Sequence, residues 1–137
     1  MREITKIIVH CSATKENTFY TAADIRRWHK LKGYSDIGYH YVVLLDGTLE
    51  KGRPVDQMGA HCKANKGNRN SIGICYIGGL DSDGRPKDTR NPLQKRTLYA
   101  LITALKNIWP KATVYGHRDF ANVDCPCFDA KEEYKEC

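Results

Sequence analysis

Three residues of this sequence have the chemistry of a metal ligand set: His10, His117 and Cys125. His10 stands near the end of the run Ile4-Thr5-Lys6-Ile7-Ile8-Val9-His10-Cys11. An imidazole at the end of an apolar strand needs a hydrogen-bond partner on each ring nitrogen or a metal on one of them. Taken alone, the commoner reading is a satisfied core histidine. His117 and Cys125 form His-x7-Cys across a loop that turns at Cys125-Pro126, so both could face one point. Two imidazoles and one thiolate suit Zn2+, and three protein ligands leave the fourth tetrahedral position for water, the arrangement of a catalytic site. The available fourth ligands are Cys11 and Cys127. In extended chain, neighbouring side chains point to opposite faces, so Cys11 should face away from a metal on His10. A turn at Pro126 could bring Cys127 to the same ion and close it as a structural site.

These residues must be positioned by elements that the hydrophobic pattern predicts. Ile4 to Cys11 reads as a strand buried on both faces, followed by a loop from Ser12 to Asn17. A capping signal at Thr21 and apolar residues Ile25, Trp28 and Leu31 predict a helix over Thr21 to Lys32. The alternation of Tyr39 to Leu45, the Asp46-Gly47 turn and the return Thr48 to Lys51 predict a hairpin. Ser71 to Ile77 is a further central strand, and Asp81 to Arg90 a polar loop. Asn91-Pro92-Leu93-Gln94 starts the longest helix, Pro92 to Trp109, with Leu98, Leu101, Ile102, Leu105 and Ile108 on one stripe. Thr113 to Gly116 is a short strand, and Phe128 to Glu136 a terminal helix. Strands interleaved with helices predict an α/β fold: one single mixed β-sheet flanked by helices, in one domain spanning 1-137. His10 and His117 fall at strand ends, where sites in such sheets gather.

The bulk composition bounds the rest. With 137 residues, 41% hydrophobic and 28% charged, the chain has room for one ordinary core. The net charge of +6 favours polyanions in sign, yet the basic residues are scattered with no aromatic-interleaved stripe, so nucleic acid is not an expected partner. No run of eighteen apolar residues exists and the opening residues lack signal-peptide order, so neither membrane insertion nor export by that route is expected. The six cysteines are accordingly expected as free thiols.

Ile8-Val9-His10-Cys11-Ser12-Ala13-Thr14 resembles the first zinc-ligand motif of the type 2 N-acetylmuramoyl-L-alanine amidases, which include phage endolysins and peptidoglycan recognition proteins. The resemblance continues in order through Ile25-Arg26-Arg27-Trp28-His29, Gly38-Tyr39-His40-Tyr41, Asp46-Gly47-Thr48-Leu49-Glu50-Lys51-Gly52-Arg53, Asn70-Ser71-Ile72-Gly73-Ile74, Gly116-His117-Arg118-Asp119 and Cys125-Pro126-Cys127-Phe128-Asp129. It implies a zinc on His10, His117 and Cys125, an active-site tyrosine at Tyr39, and cleavage of the bond between N-acetylmuramic acid and L-alanine in peptidoglycan. It also implies a fold like that of the phage amidases and recognition proteins, and a phage or prophage enzyme held in the cytoplasm until a holin or lysis releases it; a monomer is expected, although no residue pattern specifies the oligomeric state.

A zinc there would polarise the amide carbonyl and supply hydroxide at neutral pH. A phenol of ordinary pKa near ~10 is a poor base, so Tyr39 is assigned to orientation and electrostatic stabilisation. The segment Gly59-Ala60-His61-Cys62-Lys63 before Asn70 looks like a substrate-groove wall, which makes His61, Lys63, Asn70 and Arg118 the candidate substrate contacts; a solvated basic loop is the alternative. His29, on a helix, reads as structural. One departure stands out. Endolysin-type members commonly carry a lysine two residues before the ligand cysteine, and this chain has Val123. Either another donor such as Arg118, Lys63 or His61 covers that role, or the enzyme is slower. The competing functions are a module that binds peptidoglycan without cutting it and a regulator that uses the basic surface.

Overall fold

The computed structural model describes residues 2–137. In chain order it contains β1 (Lys6–Cys11), β2 (Thr14–Lys15), α1 (Ala22–Leu31), β3 (Tyr41–Val43), β4 (Leu49–Lys51), β5 (Ser71–Tyr76), β6 (Gly79–Leu80), α2 (Pro92–Ile108), β7 (Thr113–Gly116) and α3 (Ala130–Glu133). Five strands form one mixed sheet in the order β4-β3-β5-β1-β7. β3, β5, β1 and β7 run parallel, and β4 is antiparallel to β3.

Both faces of this sheet are covered, which explains why its central strands read as continuous apolar runs instead of alternating ones. On one face Ile7, Val9, Ile72, Ile74 and Val114 pack against Leu98, Leu101, Ile102 and Leu105 of α2 and Ala130 of α3. On the other, Val42, Cys75 and Ile77 pack against Ala22 and Ile25 of α1. Burying each large aliphatic side chain contributes about 1.5–3 kcal/mol, so the four on α2 fix that helix firmly.

Helix starts follow their capping residues. Thr21 and Asp24 form a reciprocal capping box on α1, and Asn91 and Gln94 form one on α2 with Pro92 in the first turn. The α2 box also binds the helix to the sheet: Asn91 Nδ2 donates to the Leu45 carbonyl at 2.7 Å and Gln94 Nε2 to the Ile77 carbonyl at 2.9 Å.

Two segments read from sequence as loops pair instead. Thr14–Lys15 runs parallel to Gly79–Leu80, extending the β1–β5 pairing past Cys11. Two-residue strands leave no periodicity, and their pairing is made by contacts far apart in sequence. The terminal helix is shorter than predicted, a single turn of Ala130–Glu133. One turn does not sustain itself. It is held by the Asp129 cap and by buried Phe128 and Tyr134, which flank it. All six cysteines are free, and no helix among the described residues is long and apolar enough to cross a membrane.

Candidate metal centre

β1 and β7 lie side by side with Val9 opposite Gly116. His10 and His117 follow at the carboxyl ends of those strands, with ring centroids 4.7 Å apart. The chain after His117 makes a tight turn over His117–Asp119, in which Asp119 Oδ2 accepts from the Gly116 amide at 2.8 Å. The Arg118 amide donates to the Cys125 carbonyl at 2.8 Å, closing the loop. Cys125 Sγ thereby reaches the end of β1, where it accepts from the Cys11 amide at 3.2 Å. One ligand atom from each of His10, His117 and Cys125 lies within 4.8 Å of the others. Metal bonds of about 2.0–2.3 Å to one zinc can bridge that spacing after a small side-chain adjustment. The donor set of two neutral imidazoles and a thiol fits a zinc ion.

Electrostatics favour the ligand form of both histidines. Burial pushes His10 well below the usual histidine range, and the neighbouring His61, His117 and His29 push the same way. Burial also lowers His117. Neutral imidazole is the form that binds metal. Cys11 sends its side chain into the α2-facing core, as strand alternation requires. Its thiol is pushed up to about 12, first by its hydrogen bond with Cys125. Cys127 donates to the Gly79 carbonyl at 3.3 Å and is pushed up chiefly by its hydrogen bond with Cys11. The structure thus gathers His10, His117 and Cys125 and ties Cys127 to Cys11 and Gly79.

Tyr39 stands just before β3 with its ring 5.1 Å from that of His10. Burial raises its phenol well above the ordinary tyrosine range, and the Cys75 thiol against it acts in the same direction. The hydroxyl therefore stays protonated at neutral pH, a donor and not a base.

A cleft of about 450 Å3 opens over this cluster, walled by Ser12, Trp28, His29, Lys32, Leu80 and Val123. A second hollow of about 410 Å3, lined by Tyr34, Ala60, Lys63 and Asn68, meets it at His117. Lys63 is thus at a wall, and Arg118 is exposed beside His117. His61 also lines the second hollow, though it is largely buried and hydrogen-bonded to His10. Asn70 is at the far end of the sheet, its carbonyl accepting from the amides of Thr5 and Lys6 at 2.8 and 3.1 Å. Four residues of strand, about 13 Å, separate that end from His10.

Sequence reasoning did not place Trp28, His29 and Lys32 at the cleft. His29 Nδ1 accepts from the Gly38 amide at 2.8 Å, so its remaining N–H is on Nε2. The spacing of Trp28 on α1 and its C-cap Lys32, four residues apart, was the available signal, but a polar helix face turned to a cleft reads like one turned to solvent.

The sheet order and the cluster at its carboxyl edge are those of an α/β protein with a candidate metal site, and comparison with known proteins identifies the class. A family model described as N-acetylmuramoyl-L-alanine amidase matches residues 1–128. The chain belongs to that family and is an N-acetylmuramoyl-L-alanine amidase. An endolysin of Enterobacteria phage K11 is 40% identical over 134 residues, covering 98% of this chain and 87% of the relative. The N-acetylmuramoyl-L-alanine amidase LysC from Clostridium intestinale URNW superposes with a TM-score of 0.80 at 28% identity, over 98% of this chain and 84% of that one. Wild-type Drosophila PGRP-LB superposes at 0.79 with 25% identity, over 99% and 82%. The mixed sheet flanked by helices that the sequence predicts is the fold found here and in these neighbours.

Proposed function

We propose that this amidase is a zinc enzyme that holds its metal on His10, His117 and Cys125 and cleaves the amide bond between N-acetylmuramic acid and L-alanine. The observation that carries the reading is the approach of three ligand atoms to within 4.8 Å at the floor of an open cleft. When bound, zinc supplies a Lewis acid for the amide carbonyl and activates water at neutral pH. Tyr39, kept protonated, donates a hydrogen bond to the oxygen that gains negative charge. His29 offers its Nε2–H, and Lys32 and Lys63 offer ammonium groups, for carbonyls and carboxylates of the bound wall fragment. Trp28 gives the cleft a flat apolar surface. The relatives named endolysins support action on the wall during lysis from within.

The test is digestion of purified peptidoglycan with and without a chelator. New L-alanine amino termini are expected without new reducing sugar ends, and the chelator should stop their release. Cys125→Ser should lose both zinc and cleavage. A chelated protein, or a Cys125→Ser protein, that still cuts at the full rate would refute the zinc assignment, and no release from any wall type would favour a binding module.

A further inference from the structure

The segment between β4 and β5 folds back over the sheet and buries one imidazole behind the ligand set. His61 is 8% exposed. Its ring lies edge-on to His10, with His61 Nδ1 and His10 Nε2 hydrogen-bonded at 2.8 Å. Its other nitrogen, Nε2, is 3.2 Å from the hydroxyl of Ser71, which is fully buried. The segment is pinned because Asn68 Oδ1 accepts from the amides of both His61 and Cys62, at 2.8 and 2.7 Å. The sheet leaves the ring its place, since a Cβ at Gly73 would stand 2.5 Å from it. The reaction proposed above uses no part of this ring, yet both its nitrogens are committed between a metal ligand and a serine.

We propose that His61, backed by Ser71, is a positioning residue that fixes which nitrogen of His10 is open to the metal. The inference rests on the zinc reading of the site. A neutral imidazole carries one N–H, so the chain His10–His61–Ser71 has two self-consistent arrangements of its hydrogens. In the first, His10 Nε2–H donates to His61 Nδ1, His61 Nε2–H donates to Ser71 Oγ, and His10 Nδ1 keeps a free lone pair. In the second every bond is reversed, and His10 Nδ1 carries the hydrogen. Only the first offers the metal a ligand.

His61 makes the first arrangement stable by accepting from His10, and Ser71 completes it by accepting from His61, so no buried N–H is left unpaired. The bond also holds the His10 ring in one orientation, which an imidazole free to rotate about its Cβ–Cγ bond would lack. Nothing local to either residue signals this pairing, because His10 and His61 lie on segments that meet only in the folded sheet.

Zinc affinity of the full chain, measured by competition with a chromophoric chelator, tests the inference. The wild type comes first: a wild type that takes up no zinc removes the metal reading itself. Given zinc binding, His61→Leu and His61→Asn are a nearly isosteric pair, and only the asparagine keeps an acceptor where Nδ1 stands. Loss of such an outer partner typically weakens metal binding by about 10–100-fold, and that loss is expected for His61→Leu. His61→Asn should retain most of the affinity, and Ser71→Ala should fall between wild type and His61→Leu. Equal losses in the two His61 variants, or none in His61→Leu, would overturn the proposal. Long-range proton–nitrogen spectra of the zinc-loaded wild type give a readout free of mutation. Hydrogens on His10 Nε2 and His61 Nε2 are expected, and a hydrogen on His61 Nδ1 would overturn it equally.

Discussion

Val9 and Gly116 are register partners on the adjacent parallel strands β1 and β7, and the residue that follows each of them in the chain is a histidine of the ligand set. The site is therefore built by sheet register before any loop contributes. A shift of one residue in either strand would turn its histidine to the opposite face. The third member, Cys125, arrives on a loop whose closure depends on the hydrogen bond from the Arg118 amide to the Cys125 carbonyl. Two rigid strand ends and one fastened loop hold the three donors close, so little ordering is left for metal binding to impose.

Tyr39 touches the reacting region without belonging to the ligand set. Its ring packs near both His10 and His29, with centroids 5.1 and 5.4 Å away, and burial keeps its hydroxyl protonated. Tyr39→Phe should keep its zinc and lose about 10²-fold in kcat, the usual effect of removing one donor to a developing oxyanion. Metal analysis beside the rate of amino-terminus release checks this. Zinc lost together with activity would mean that the hydroxyl supports the site and not the reaction.

Much of this was legible in the sequence because the signals were local. β1 and β5 are continuous apolar runs, and α1 and α2 carry helical periodicity and their own caps, so their existence followed from short-range chemistry. The two-residue strands β2 and β6 escaped because only their long-range pairing defines them. The same limit applies at the cleft. His61 was read as a groove residue from its polar, glycine-rich surroundings, and it does line the second hollow, but its hydrogen bond to His10 and the room that Gly59 and Gly73 leave its ring come from contacts made only in the fold. Asn70, singled out by its position in a motif, sits at the opposite end of the strands, where its carbonyl fastens the start of β1.

Val123 marks a place where charge is missing. It is 43% exposed on the cleft wall beside Asp124 and Cys125, where the family resemblance leads one to expect a lysine. An apolar side chain cannot donate to an oxyanion. Val123→Lys should raise kcat/KM by about tenfold on purified wall, with zinc content unchanged. An unchanged rate would indicate that a cation already at the cleft, Lys32 or Lys63, fills the role.

Arg90 fastens the C-terminal segment to the chain that precedes α2. Its side chain is 2% exposed, and it donates to Asp88 Oδ1 and Oδ2 at 2.9 Å each and to Glu133 Oε2 and Oε1 at 2.7 and 2.9 Å. It also donates to the Tyr134 hydroxyl at 3.0 Å and lies 3.3 Å from the centroid of the Phe128 ring. Arg90→Met would leave two carboxylates unpaired, but both are partly exposed and can hydrate, which softens the cost of breaking a buried pair. The expected loss of stability is about 2 kcal/mol by denaturant titration. No loss would mean that α3 is held by Phe128 and Tyr134 alone.

Acid should weaken the fold through its buried histidines. His40 is almost fully buried, its Nδ1 accepting from the Gly73 amide at 3.0 Å and its Nε2–H donating to the Gln57 carbonyl at 2.8 Å. Burial pushes it down to about 4, an effect that the Gln57 carbonyl only partly offsets. Its folded pKa lies below its unfolded value of about 6.5, so the unfolded chain takes up a proton first as pH falls. The native state keeps its full advantage above about pH 6.5 and loses it progressively toward pH 4. At pH 5 the loss from His40 alone is about 2 kcal/mol, and His10 and His61, also held neutral by burial, add to it in the same direction. Guanidinium unfolding of the wild type at pH 7.5 and pH 5 measures the total. His40→Asn keeps an acceptor for the Gly73 amide and cannot titrate, so it should be less stable at pH 7.5 yet lose less on acidification. An identical acid loss in the two proteins would show that His40 is not among the groups that drive it.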